Sequence, residues 1–206
     1  MLQPPWRKPP GQPRVRQKDG TYVPQNPQGP AVLFVCTANR IRSPLAQYML
    51  LELLRRHSSE TGSSDLQWRV DSAGVWAEEG LPVLEQVTKA GREYGLDLSR
   101  HRSRSAAAIG LHQFDLILTM ERVHAATICN EFPQTCGRVM TVGAALAGRD
   151  FDVVDPPHHS RRGVRATARE LAALLSTGLP RLREHVELAM QPNTMPFTHL
   201  TVHRGK

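Results

Sequence analysis

Apolar residues along this chain fall into short blocks whose period switches between that of a strand and that of a helix. Residues 31–35, Ala-Val-Leu-Phe-Val, form an unbroken run rich in β-branched and aromatic side chains, as expected of a strand covered on both faces in a parallel sheet. A helix is predicted over 44–58, with Ser43 as N-cap and Pro44 at the first helical position. The polar stretch 57–64 reads as a loop, and 66–70 alternates as a second strand ending at Asp71-Ser72-Ala73-Gly74. A helix over 82–94 stops at Gly95, a third strand spans 114–119, a helix covers 121–130 and a fourth strand 138–142. Leu171, Leu174, Leu175, Leu179, Leu182 and Val186 share one helical face on both sides of Pro180, which predicts a single kinked helix.

Strands alternating with helices predict βαβ units with right-handed crossovers. The expected fold is therefore α/β: a small doubly wound, Rossmann-like, four-stranded parallel sheet with helices on both faces. Ligands of such sheets bind outside the carboxyl ends of the strands, where Cys36 falls. The folded domain is assigned to residues 31–190. Residues 1–30, with eight of the sixteen prolines, are expected to form a disordered basic arm, and 191–206 a fraying tail. No internal repeat is present.

Charge changes this picture little. The net charge is +7, but Arg7, Lys8, Arg14, Arg16 and Lys18 against Asp19 place more than half of it in the arm. No nucleic-acid partner is expected; an acidic partner for the arm is one reading of its charge, with Trp6 as an anchor, and a solvated extension is the plainer one. Three cysteines, Cys36, Cys129 and Cys136, give neither an even disulfide framework nor a paired metal motif, and they suit a reducing cytoplasm. No signal peptide or membrane-length apolar stretch opens the chain, so a cytoplasmic protein without membrane attachment is expected.

The chemistry sits between the first strand and the first helix. Unpaired amides of a tight loop and of a helix start make a cradle for a tetrahedral anion, and Arg42 adds a planar fork that can take two anion oxygens. Cys36 lies beneath that anion at the positive end of the helix, which favours its thiolate. A thiolate under a phosphoryl group is a nucleophile, and the departing oxygen then needs a proton from a carboxylic acid on the opposite side. Asp150, Asp152 and Asp155 are the candidates, and composition alone does not choose between them; the proline after Asp155 holds that residue extended.

Cys36, five residues, Arg42 and Ser43, followed in order by Asp71-Ser-Ala-Gly74, His101-Arg-Ser-Arg104, the strand 115–120 and Asp155-Pro156, resemble the low-molecular-weight protein-tyrosine phosphatases over residues 30–190. The resemblance implies hydrolysis of phosphotyrosine, or of a related phosphorylated side chain on a protein, through a phosphocysteine intermediate without metal or other cofactor. It implies Cys36 as nucleophile, Arg42 as anion ligand and Asp155 as acid. Thr37, Ala38, Asn39, Arg40, Ile41 and Ser43 would complete the phosphate-binding loop, supported by Ser72 and His101. Asn39 tolerates a left-handed backbone, and Ser43 would also donate to the thiolate. Trp76 is either an aromatic wall beside the substrate or a core residue.

Departures from the family pattern concern the rim. Arg40 stands where many members have an apolar or small residue, Ile41 where many have a second Cys, and Pro157-His158-His159 where aromatic or Gly residues are expected. The two histidines are read as facing solvent, not a metal. Two other functions remain: a thiol-dependent arsenate reductase using Cys129 and Cys136, although Met120-Glu121 stand where its resolving Cys belongs, and a phosphate-binding module without turnover.

Overall fold

The structure is a computed structural model that describes residues 29–61 and 67–190. Most of the expected basic arm and all of the expected tail lie outside the described residues. Four strands form one sheet in the order β2-β1-β3-β4, every neighbouring pair parallel: β1 Ala31–Cys36, β2 Arg69–Gly74, β3 Leu116–Thr119 and β4 Val139–Thr141. Five α-helices are described: α1 Arg42–Thr61, α2 Glu85–Arg92, α3 Arg122–Glu131, α4 Val142–Ala147 and α5 Arg161–Met190. None of the described helices is long and apolar enough to cross a membrane.

The central strand explains why its sequence is apolar throughout. Side chains alternate between the faces of a strand, and here each face meets a separate core. Val32, Phe34 and Cys36 join the apolar faces of α1, α4 and α5 on one side. Ala31, Leu33 and Val35 join Ala125 and Ile128 of α3, with Leu111 and Phe114, on the other. With both faces and both edges of β1 covered, its carboxyl end is a fixed platform for the loop that follows.

Several boundaries differ from the sequence reading. Asp71-Ser72-Ala73-Gly74 lies inside β2, not after it, so these residues are held in register against Leu33 to Cys36. The first helix begins at Arg42, which places Ser43 within it; the Ser43 hydroxyl is spent on the site described below, not on a helix amide. The sequence pattern gives no sign of α4, because Val139-Met-Thr-Val142 reads as a strand that simply ends. Thr141 instead caps a short helix by accepting from the Ala144 amide at 3.1 Å, and Gly148 stops it in the left-handed conformation. α5 runs through Pro180 as one helix, as its apolar face predicts. Gly178 is required there: a Cβ on it would lie 2.6 Å from Leu146 O of α4.

Candidate active site

The loop from Cys36 to Ser43 is built around Asn39. Its φ of 55° is left-handed, which Asn accepts more readily than most residues. The Asn39 amide donates one hydrogen to Ser43 Oγ and one to Ser72 Oγ, each at 2.9 Å, and its Oδ1 accepts from the Arg104 amide at 2.9 Å. Its backbone carbonyl accepts from His101 Nε2 at 2.9 Å. Ser72 passes its own hydrogen to Gln47 Oε1 at 2.7 Å. His101 is thus a buried part of the loop's frame, and burial, more than its arginine neighbours, pushes its pKa below the ordinary histidine value.

Gly74 closes the frame from beneath. A Cβ there would lie 2.4 Å from Thr37 O and 2.8 Å from Asn39 N, so only glycine lets β2 approach the loop this closely.

Cys36 Sγ lies 3.0 Å from Ser43 Oγ, which also lies 3.1 Å from Ala73 O. The hydroxyl has one hydrogen and two claimants. With a thiol, the S–H donates to Ser43 and Ser43 donates to Ala73; with a thiolate, the hydroxyl hydrogen turns to the sulfur, while Asn39 keeps the oxygen in place.

Arg42 is 1% exposed, and its Nη1 hydrogens together with one on Nη2 set its orientation. Nη1 donates to Glu121 Oε1 and, at 3.0 Å, to Val153 O; Nη2 donates to Thr37 Oγ1 at 3.1 Å. Asp155 Oδ1 lies 2.8 Å from Nε as an ion pair, yet off the N–H axis, so Nε carries no hydrogen bond. Nε makes no hydrogen bond and Nη2 makes one, to Thr37, and these two nitrogens form the edge of the guanidinium against which the Asp155 carboxylate rests. A buried edge with unspent donors, faced by an exchangeable carboxylate, is a seat for two oxygens of an anion.

The three candidate acids separate cleanly. Asp150 accepts from the Thr141 hydroxyl at 2.6 Å, and Asp152 accepts from the Arg122 amide at 2.9 Å and pairs with its side chain. Asp155 alone of the three meets Arg42 in an ion pair. Its carboxylate is 43% exposed and its Oδ2 lies 3.1 Å from His159 Nε2. The loop begins at Val153, whose amide donates to Met120 O at 2.7 Å.

Trp76 is 62% exposed, so the core alternative for it is overturned; its amide donates to Thr37 O at 3.0 Å, which fixes the residue beside the loop. Arg40 donates from Nε to Pro82 O at 2.9 Å on the rim. Ile41 is buried in the core cluster of α1. Cys129 packs at the margin of the second core, and it is also bonded to Cys136, which the reading of three separate thiols does not anticipate. The turn Pro133–Arg138 folds the chain back after α3 and brings their Cα atoms to 4.7 Å. Among the described residues no cluster of His, Cys, Asp or Glu is arranged to hold a metal.

Two site residues escape the sequence reading, Glu121 and His124. They cap α3 reciprocally, Glu121 taking the N3 amide and His124 Nδ1 the Glu121 amide at 3.2 Å. An acidic residue three positions before a His at the start of a helix, directly after a buried strand, is the available signal.

Comparison with known proteins agrees with this geometry. The family described as low molecular weight phosphotyrosine protein phosphatase matches residues 31–188. The low molecular weight protein-tyrosine-phosphatase Wzb of Salmonella typhimurium is 34% identical over 130 residues, 63% of this chain and 78% of that protein. A protein-arginine-phosphatase of Geobacillus stearothermophilus is 31% identical over 144 residues, 70% of this chain and 90% of its own length. The crystal structure of a low molecular weight protein tyrosine phosphatase from T. tengcongensis superposes with a TM-score of 0.65 at 32% identity, covering 75% of this chain and all of that one (100%). The chain therefore belongs to the low-molecular-weight phosphotyrosine protein phosphatase family, whose activity is cysteine-based dephosphorylation of proteins.

Proposed function

We propose that Cys36 is the nucleophile, Arg42 with the amides of residues 37–42 the phosphoryl cradle, and Asp155 the acid and then the base. The observation that carries this reading is the Nε and Nη2 edge of a buried arginine, with Nε free of hydrogen bonds and faced only by the Asp155 carboxylate, on the loop of the one free cysteine. An incoming phosphoryl group takes that edge and displaces the Asp155 carboxyl towards the leaving-group side. The Cys36 sulfur then forms a bond to phosphorus as the phosphorus–oxygen bond to the side chain breaks, and the leaving oxygen takes the proton of Asp155. Water next attacks the phosphocysteine, gives a proton to Asp155 and releases inorganic phosphate and the thiolate. The amides and Arg42 hold the equatorial oxygens through both steps.

The exposed indole of Trp76, on a residue whose backbone is bonded to Thr37, is suited to stack on an aryl ring, which favours phosphotyrosine among the phosphorylated side chains. The test is hydrolysis of phosphotyrosine, phosphoserine and phosphoarginine peptides by the wild type, Cys36→Ser and Asp155→Ala. We expect phosphotyrosine turnover that vanishes in the Cys36→Ser protein and falls by about 10²–10⁴ with Asp155→Ala. Faster turnover of phosphoarginine would move the substrate assignment; turnover surviving Cys36→Ser would remove the mechanism.

A further inference from the structure

Thr37 follows the nucleophile, and two hydrogen bonds reach its hydroxyl. Their directions are settled by the groups around them. His124 Nδ1 faces the backbone N–H of Glu121 at 3.2 Å, and a backbone N–H only donates, so Nδ1 carries a lone pair. The ring is therefore neutral with its proton on Nε2. Burial first, and then the Arg42 cation, hold the His124 pKa below the ordinary histidine value, in keeping with that state.

With Nε2 as the donor, its 2.9 Å contact with Thr37 Oγ1 is a hydrogen bond that the hydroxyl accepts. The 3.1 Å contact from Arg42 Nη2 is also one that the hydroxyl accepts, because a guanidinium only donates. A hydroxyl oxygen has two lone pairs and one hydrogen. Both lone pairs are thereby used, and the hydrogen has no acceptor among the described residues. It sits beside Nη2, which with Nε forms the edge of Arg42 that Asp155 Oδ1 faces at 2.8 Å from Nε. A phosphoryl oxygen that takes the place of that carboxylate is the neighbouring acceptor.

We propose that the Thr37 side chain is a hydrogen-bond donor to the phosphoryl group, and that His124 is the positioning residue that makes it one. By filling a lone pair, His124 removes the rotamers in which the hydroxyl would accept from the loop or turn its hydrogen away. The substrate contact is Thr37; His124 acts through it. The inference rests on the reading of the loop as a phosphoryl cradle, and it adds a side-chain donor to the amides and the guanidinium.

The experiment is titration of inorganic phosphate into the full chain by calorimetry in the Cys36→Ser background, paired with kcat and KM on an aryl phosphate for the active protein. Thr37→Val should weaken phosphate binding by about tenfold, the loss of one hydrogen bond to a charged group, and lower kcat/KM at least as much. Thr37→Ser should stay within about threefold of the wild type, since it restores the donor. His124→Ala should weaken binding by about threefold when Thr37 is present and not at all beside Thr37→Val, because its effect passes through that hydroxyl. His124→Gln, which keeps an N–H near the Nε2 position, should recover most of the loss. Affinity is read on folded protein, so a lower melting temperature alone does not move it. Thr37→Val binding phosphate as the wild type does, Thr37→Ser no better than Thr37→Val, or an equal His124→Ala loss in both backgrounds would each overturn the proposal. A wild type without turnover on any phosphorylated substrate would instead overturn the phosphatase mechanism, while the phosphate titrations would still decide the role of Thr37.

Discussion

The two loops that meet at Arg42 are held in opposite ways. Around Asn39 the polar groups of the cradle have buried partners on β2, on α1 and in the segment 101–104. Beyond Val153 the acid loop has exposed contacts instead: Asp155 with His159, and Gln86 donating to His159 O at 2.7 Å. His158 and His159 both have left-handed φ values, 52° and 50°, which cost non-glycine residues energy. Under the proposed mechanism the difference follows the chemistry: donors to a developing charge act best when fixed before the reaction, whereas the proposed acid, Asp155, would have to leave Arg42, give a proton and later take one back.

Substitutions can break this contrast in a graded series. The largest expected effect is Arg42→Lys, which keeps the charge and loses the fork; kcat/KM should fall by about 10³, read on an aryl phosphate against an unchanged fold by circular dichroism. Next is Gly74→Ala. The added carbon meets backbone at 2.4 Å, which a side-chain rotation cannot relieve, so activity and about 1–3 kcal/mol of stability should go together, measured by urea unfolding beside turnover. An active, equally stable Gly74→Ala protein would show that the cradle is less rigid than described.

Acidification should act on the cradle through its two buried histidines. His101 and His124 have folded-state pKa values below their unfolded value of 6.5, so unfolded chains bind more protons as pH falls. Their contribution to stability is complete above that value and is lost as pH drops from about 6.5 through the depressed folded values. Urea midpoints at pH 7 and pH 5 should differ, and His101→Asn should reduce the difference. Smallest is His159→Ala: an exposed pair contributes at most about 1 kcal/mol, so kcat should change by only about twofold. A tenfold loss would place His159 among the groups that hold the acid for reaction.

How much of this is legible depends on whether a signal is local. The run 31–35, the loop from Cys36 to Ser43 and the apolar face across Pro180 are contiguous or periodic, and the strand, the loop and the single helix stand where the pattern puts them. β2 reads short because Asp71 and Ser72 look like loop residues. Their partners Arg104 and Asn39, which make a polar strand end burial-competent, are 33 residues away on either side. α4 is hidden because its Val-rich start carries on a strand, and the capping hydroxyl of Thr141 is visible only in three dimensions. The Cys129–Cys136 bond needs the turn between them, which the spacing of seven does not reveal. Glu121 and His124 stand out little because a reciprocal cap by Glu and His departs from the usual Ser/Thr–Glu pattern at a helix start.

The disulfide has a practical corollary. The chain has three cysteines, and with two of them bonded to each other Cys36 is the single free thiol. It is buried at the start of the loop that carries Arg42. While the Cys129–Cys136 bond is intact, one equivalent of an alkylating label therefore counts Cys36 alone, and under the proposed mechanism an anion resting in the cradle should slow the count.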